Sequence, residues 1–107
     1  MAIEIHRYSE DAENSSLTFM HSVANQKFYN RVWEKAVAET GIKLIRDWGV
    51  FTPQQIDDAV EELHILIEWC EQNLNGKDYI YMKDKLEVLI EVIPEEAKKS
   101  NEPFYIF

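Results

Sequence analysis

Cysteine is nearly absent from this chain: Cys70 stands alone, so no internal disulfide can form, and a disulfide-stapled secreted domain is excluded. Glycine and proline number three each, too few for a disordered or fibrous chain when 46% of residues are hydrophobic. No apolar run approaches the roughly 18 residues of a membrane span, and Met1 to Glu10 has no signal-peptide core. A single soluble, cytoplasmic domain covering residues 1–107 is expected. Lys and Arg are missing altogether from Pro53 to Leu74, where Asp57, Asp58, Glu61, Glu62, Glu68 and Glu71 all fall. That one stretch supplies six of the nine net negative charges, because acids and bases nearly cancel on either side of it.

A field of one sign steers association with partners of the opposite sign and repels phosphate. Nucleic-acid binding is therefore disfavoured, since no basic stripe offsets the six carboxylates. Membrane-surface binding is disfavoured on the same ground, because an interfacial helix is basic on its polar face.

What is present reads mainly as helix. Thr52-Pro53-Gln54-Gln55 is a start signal: a Thr cap, Pro at the first helical position, and Gln three residues on to return the capping-box bond. Ile56, Ala59, Val60, Leu63, Leu66, Ile67, Cys70 and Leu74 then keep the i, i+3, i+4, i+7 period. Tyr79, Met82, Leu86, Leu89, Ile90 and Ile93 repeat it up to Pro94, which reads as a stop. A short Asn-Gly-Lys turn between them makes an antiparallel hairpin.

Upstream, Ile3 and Ile5 alternate with Glu4 and His6 over Ala2 to Tyr8, the period of a short strand. Ser9 to Ser16 is polar and reads as a loop, with Ser15 or Ser16 as a cap for a helix from about Leu17 to Thr40, broken near Asn25 and closed by Gly41. Ile42 to Trp48 reads as one or two further helical turns ending at Gly49. Phe104-Tyr105-Ile106-Phe107 is an apolar tetrad, read as packing on the bundle or pairing with Ile3 and Ile5. The predicted fold class is mainly α: a compact helical bundle around the hairpin of about 53–93, with a small two-stranded contribution from the termini.

The candidate chemistry is sparse. Glu61-x-x-His64 has a spacing used by carboxylate-bridged metal bundles, but no second such pair occurs, so no metal site is expected. Cys70 lies on the core stripe and suggests a buried apolar filler, not a nucleophile. No phosphate loop, nucleophile elbow or paired-Cys motif is present, and no catalytic residue, cofactor or enzymatic activity is predicted.

The function expected is that of an acidic protein-binding inhibitor, of the type in which an immunity protein occludes the cleft of a basic toxin or nuclease. Asp57, Asp58, Glu61, Glu62, Glu68 and Glu71 would face the basic partner. Trp69, with Ile65 beside it, would be the aromatic anchor of the contact. The second reading is a helical structural or adaptor module that self-associates as a homodimer through extra apolar helix faces.

Overall fold

The computed structural model describes residues 2–10 and 15–107, and it corrects the predicted fold class. The chain is not a helical bundle with a minor strand pair; it is an α+β fold, a four-stranded antiparallel sheet backed by helices. β1 (Ala2–Glu10) pairs with β2 (Ser15–Asn25) on one side and with β4 (Phe104–Ile106) on the other, and β3 (Val50–Phe51) closes the far edge in the order β2-β1-β4-β3. The expected pairing of the C-terminal tetrad with Ile3 and Ile5 is present, but at the centre of a larger sheet: Ile5 lies opposite Ile106, and Glu4 and Phe107 exchange backbone bonds at 3.0 and 2.9 Å.

The largest correction is β2. Residues 17–25, read as the first turns of a helix, are extended and hydrogen-bonded to β1, and Ser15 and Ser16 open that strand instead of capping a helix. The centre of the predicted loop, 11–14, lies outside the described residues. The helix starts where the break was expected: the Asn25 side chain accepts from the Phe28 amide at 2.8 Å, an N-cap. From there α1 (Gln26–Phe28) runs through a π-helical segment (Tyr29–Trp33) into α2 (Glu34–Thr40) as one continuous rod. Gly41 ends it with φ at 73°, the left-handed conformation that glycine adopts without a Cβ penalty.

Residues 42–48 form no helix. They are an irregular loop held by side chains from elsewhere: Tyr29 Oη accepts from the Asp47 amide at 2.7 Å, and Trp33 Nε1 donates to the Ile45 carbonyl at 3.2 Å. Gly49 follows, and any Cβ there would collide with the Leu44 carbonyl oxygen, so the loop folds back on itself only around glycine.

The hairpin is as expected in outline. Gln55 Oε1 accepts from the Thr52 amide at 3.0 Å, a 3-10 turn (Pro53–Gln55) leads in, and α3 (Ile56–Asn73) and α4 (Gly76–Ala97) follow. Pro94 does not stop α4, which continues to Ala97. Proline removes one donor near the end of a helix, where only a short final turn remains to be held. Arg7 from β1 holds it, donating to the carbonyls of Glu96, Ser100 and Glu102.

Side chains alternate along β1, so Ile3, Ile5 and Arg7 turn toward the helices and Glu4, His6 and Tyr8 turn away. Ile3 and Ile5 join Val23, Phe51, Phe104, Trp33, Leu63, Leu66 and Leu86 in one core between sheet and helices. The second apolar flank of α4 is partly covered, since the Tyr81 ring packs on Phe28 with centroids 4.5 Å apart. No helix among the described residues is long and apolar enough to cross a membrane.

Candidate functional site

The acidic helix α3 packs Ala59, Leu63, Leu66 and Cys70 into the core, which leaves the opposite arc to the carboxylates. Asp57, Asp58, Glu61, Glu68 and Glu71 are all exposed there. Asp58 and Glu61 are three residues apart and so share a face. With Ile65 one turn further, they border an open groove of ≈ 380 Å³ whose other wall is the backbone of 40–44. Ile42, Leu44 and Ile65 give it an apolar floor, and Asp58, Glu61 and Glu62 outnumber the one base in its lining, Lys43. A lysine or arginine side chain suits such a groove, with its stem on the aliphatic floor and its cation at the rim.

Asp57 lies around the helix, in a second groove with Pro53, Ile56, Val60 and Pro94, where Lys98 also lines the wall. Glu68 accepts a long bond from Gln72 at 3.4 Å, and Glu71 sits 3.6 Å from Lys83, the nearest base on α4. Both are surface contacts of small energetic consequence, and they leave the carboxylates available.

Two residues of the predicted set have other tasks. Glu62 faces the 42–48 loop, and its carboxylate accepts from three successive backbone amides, Lys43, Leu44 and Ile45, at 3.0, 2.9 and 3.0 Å. It is a structural cap of that loop. Trp69 is only 6% exposed, and its indole N–H donates to Glu39 on α2 at 2.9 Å, so it joins α3 to α2 and cannot serve as an exposed anchor. The helix from upstream covers the flank on which Trp69 lies, whereas Ile65 remains partly open at the groove.

Glu61 and His64 are both exposed, and no group of three His, Cys, Asp or Glu among the described residues is arranged to hold a metal ion. Cys70 is buried, with its thiol 3.7 Å from the Tyr79 carbonyl, and burial with the nearby Glu71 charge pushes its pKa up to about 11. At pH 8 its thiolate population is then roughly a hundredfold or more below that of an exposed cysteine. Reaction with a disulfide reagent should be slower by at least that factor in the folded protein than in denaturant, and equal rates would show that the thiol is open.

Arg31 on the π segment and Asp78 on α4 form a two-pronged ion pair at 2.8 Å for both bonds, which holds the Asp78 carboxyl below the usual carboxylate range. That pair occupies an exposed base on another face, so among the ion pairs described only Lys83, beside Glu71, brings a cation to the α3 arc. Comparison with protein-family models, curated proteins and solved structures finds no match to any of them.

Proposed function

We propose that the protein is a non-catalytic binding protein that covers a basic cleft of another protein, as an inhibitor or immunity protein covers a nuclease toxin. The observation that carries this reading is the α3 arc, five exposed carboxylates on a helix that contains no Lys or Arg. Asp57, Asp58, Glu61, Glu68 and Glu71 are the proposed contacts, and the Asp58–Glu61 groove is the proposed seat for one basic side chain of the partner. Glu62 and Trp69 support the surface from behind without touching the partner.

Opposite potentials across an interface raise the rate of encounter more than the lifetime of the complex. Reversing charge at Glu61 and Glu68 together (E61K with E68K) should therefore slow association by about tenfold or more and flatten its dependence on salt. An association rate unchanged by the double reversal would remove these residues from the interface. Self-association is the second reading, and the observation that favours it lies on the sheet and not on the helices.

A further inference from the structure

The face of the sheet that points away from the helices is largely apolar, with exposed residues around a His6 that is itself buried beneath Phe107. Strand register places Met20, His6, Tyr105 and Val50 in one row across β2, β1, β4 and β3, with Leu17 beside Tyr8 in the next row. Leu17 and Met20 are each 51% exposed and Phe107 is 43% exposed. At one end Trp48 is 79% exposed, and its ring is stacked on Phe107, which is stacked in turn on His6 at 4.3 Å. An antiparallel sheet with one wet face usually carries polar residues there.

Trp48 adds an independent signal. Its φ is +67°, the left-handed region that a bulky side chain rarely adopts, and it is the only non-glycine residue with positive φ among the described residues. The backbone there is pinned by the bond from the Trp48 amide to the Ile106 carbonyl at 2.7 Å. Glycine would adopt this conformation without strain, yet the position holds the largest side chain and displays it. Such an outlier points to a use for the side chain.

We infer that this face is the contact between two copies of the chain, packed sheet to sheet so that the helices lie on the outside. Charge selects a second copy over a basic partner. Among the described residues, Glu4 is the only carboxylate on the outer rows from Glu4 to Tyr8, and no Lys or Arg lies there, on a chain whose net charge is −9. Two copies meeting here bring together surfaces that carry one carboxylate each and keep the α3 carboxylates off the contact. A basic partner would be drawn to the helices instead.

Size sets the strength. The four strands, 9, 11, 3 and 2 residues long, give a footprint of about 400 Å² per copy at roughly 3.4 Å per residue and 4.8 Å between strands. Two such footprints, about 800 Å² in all before Trp48 and Phe107 are added, lie below the standard size of specific interfaces, so the dimer is weak and depends on concentration. The residual repulsion between two anionic copies is screened by salt, which makes the dimer tighter as salt rises, opposite in sign to the complex with a basic partner.

Sedimentation velocity on the full chain tests this, from about 10 to 500 μM at low and at high sodium chloride. The expected result is a monomer–dimer equilibrium that strengthens with salt and is weakened about tenfold or more by Trp48→Gly and by Met20→Lys, each checked for native folding by circular dichroism. A monomer throughout the range at both salts overturns the inference. So does a dimer that Trp48→Gly leaves intact, since a contact through the free edge of β2 or through the helices does not involve the indole.

Discussion

Arg7→Met should lower folding stability by about 4 kcal/mol. Arg7 is only 1% exposed although it carries a full charge, and burial lowers its pKa from the ordinary arginine value, with Glu96 and Glu102 acting in the opposite sense. What holds it is geometry: Nε donates to Glu102 at 3.1 Å, Nη2 to Ser100 and Glu102 at 2.8 and 2.6 Å, and Nη1 to Glu96, while the guanidinium plane lies 4.3 Å from the Phe104 ring. Methionine fills much of the volume but donates nothing, leaving the Ser100 and Glu102 carbonyls without their donor at about 1–3 kcal/mol apiece, while Glu96 keeps the Lys99 amide. Lysine keeps the charge and loses the planar fork, so Arg7→Lys should cost about 2 kcal/mol. Urea denaturation with unchanged m values checks both figures. A loss below 1 kcal/mol for Arg7→Met would mean that water replaces the guanidinium and that the end of α4 does not depend on β1.

The second large effect concerns Glu62. Its carboxylate gathers three consecutive amides of the 42–48 loop, a segment with little regular backbone bonding of its own. Hydrogen bonds to a charged acceptor contribute about 1.5–3 kcal/mol each when buried, and partial exposure here reduces the sum, so Glu62→Ala should cost about 3 kcal/mol. Glu62→Gln retains one acceptor oxygen and should cost about half as much. Asp58→Ala, one turn away and exposed, should change stability by less than 0.5 kcal/mol. Equal stabilities for Glu62→Ala and Asp58→Ala would contradict the loop-capping role. The contrast matters for function because the two carboxylates look alike in sequence: one builds the groove wall and the other lines the groove.

That resemblance shows where sequence reading stops. α3 was legible because its core stripe, its Thr52–Gln55 cap and its acidic arc all agree, and the structure keeps them on separate faces. β2 was not legible, for an identifiable reason. Its register against β1 skips twice: Arg7 and Tyr8 lie opposite Phe19 and Leu17, and Ile3 and Glu4 opposite Ala24 and Ser22. The extra residues Thr18 and Val23 break the two-residue period. The apolar positions Leu17, Met20 and Val23 consequently recur every three residues, which is the signature of a helix.

The same limit explains Trp69 and Trp48. Helical angles alone placed Trp69 to one side of the α3 stripe, but which helix covers that side is a tertiary fact, and α2 covers it through Glu39. Trp48 falls in an apolar-rich segment that reads as helical turns, whereas Gly49 and the bonds from Tyr29, Trp33 and Glu62 turn that segment into a loop that presents the indole outward. Pro94 is a local stop signal, yet α4 runs on to Ala97, where Arg7, far away in sequence, donates to the Glu96 carbonyl.

The central claim is that the exposed carboxylates of α3 recognise a basic protein. The most direct measurement is affinity capture from the native host with the wild-type chain and with the E61K, E68K variant side by side, washed at low and then high salt and read by mass spectrometry. The account predicts one stoichiometric basic protein that the wild type retains at low salt and releases at high salt, and that the variant fails to retain. The same proteins recovered by both baits, or none by either, would contradict it and leave the α3 arc as a solvated face.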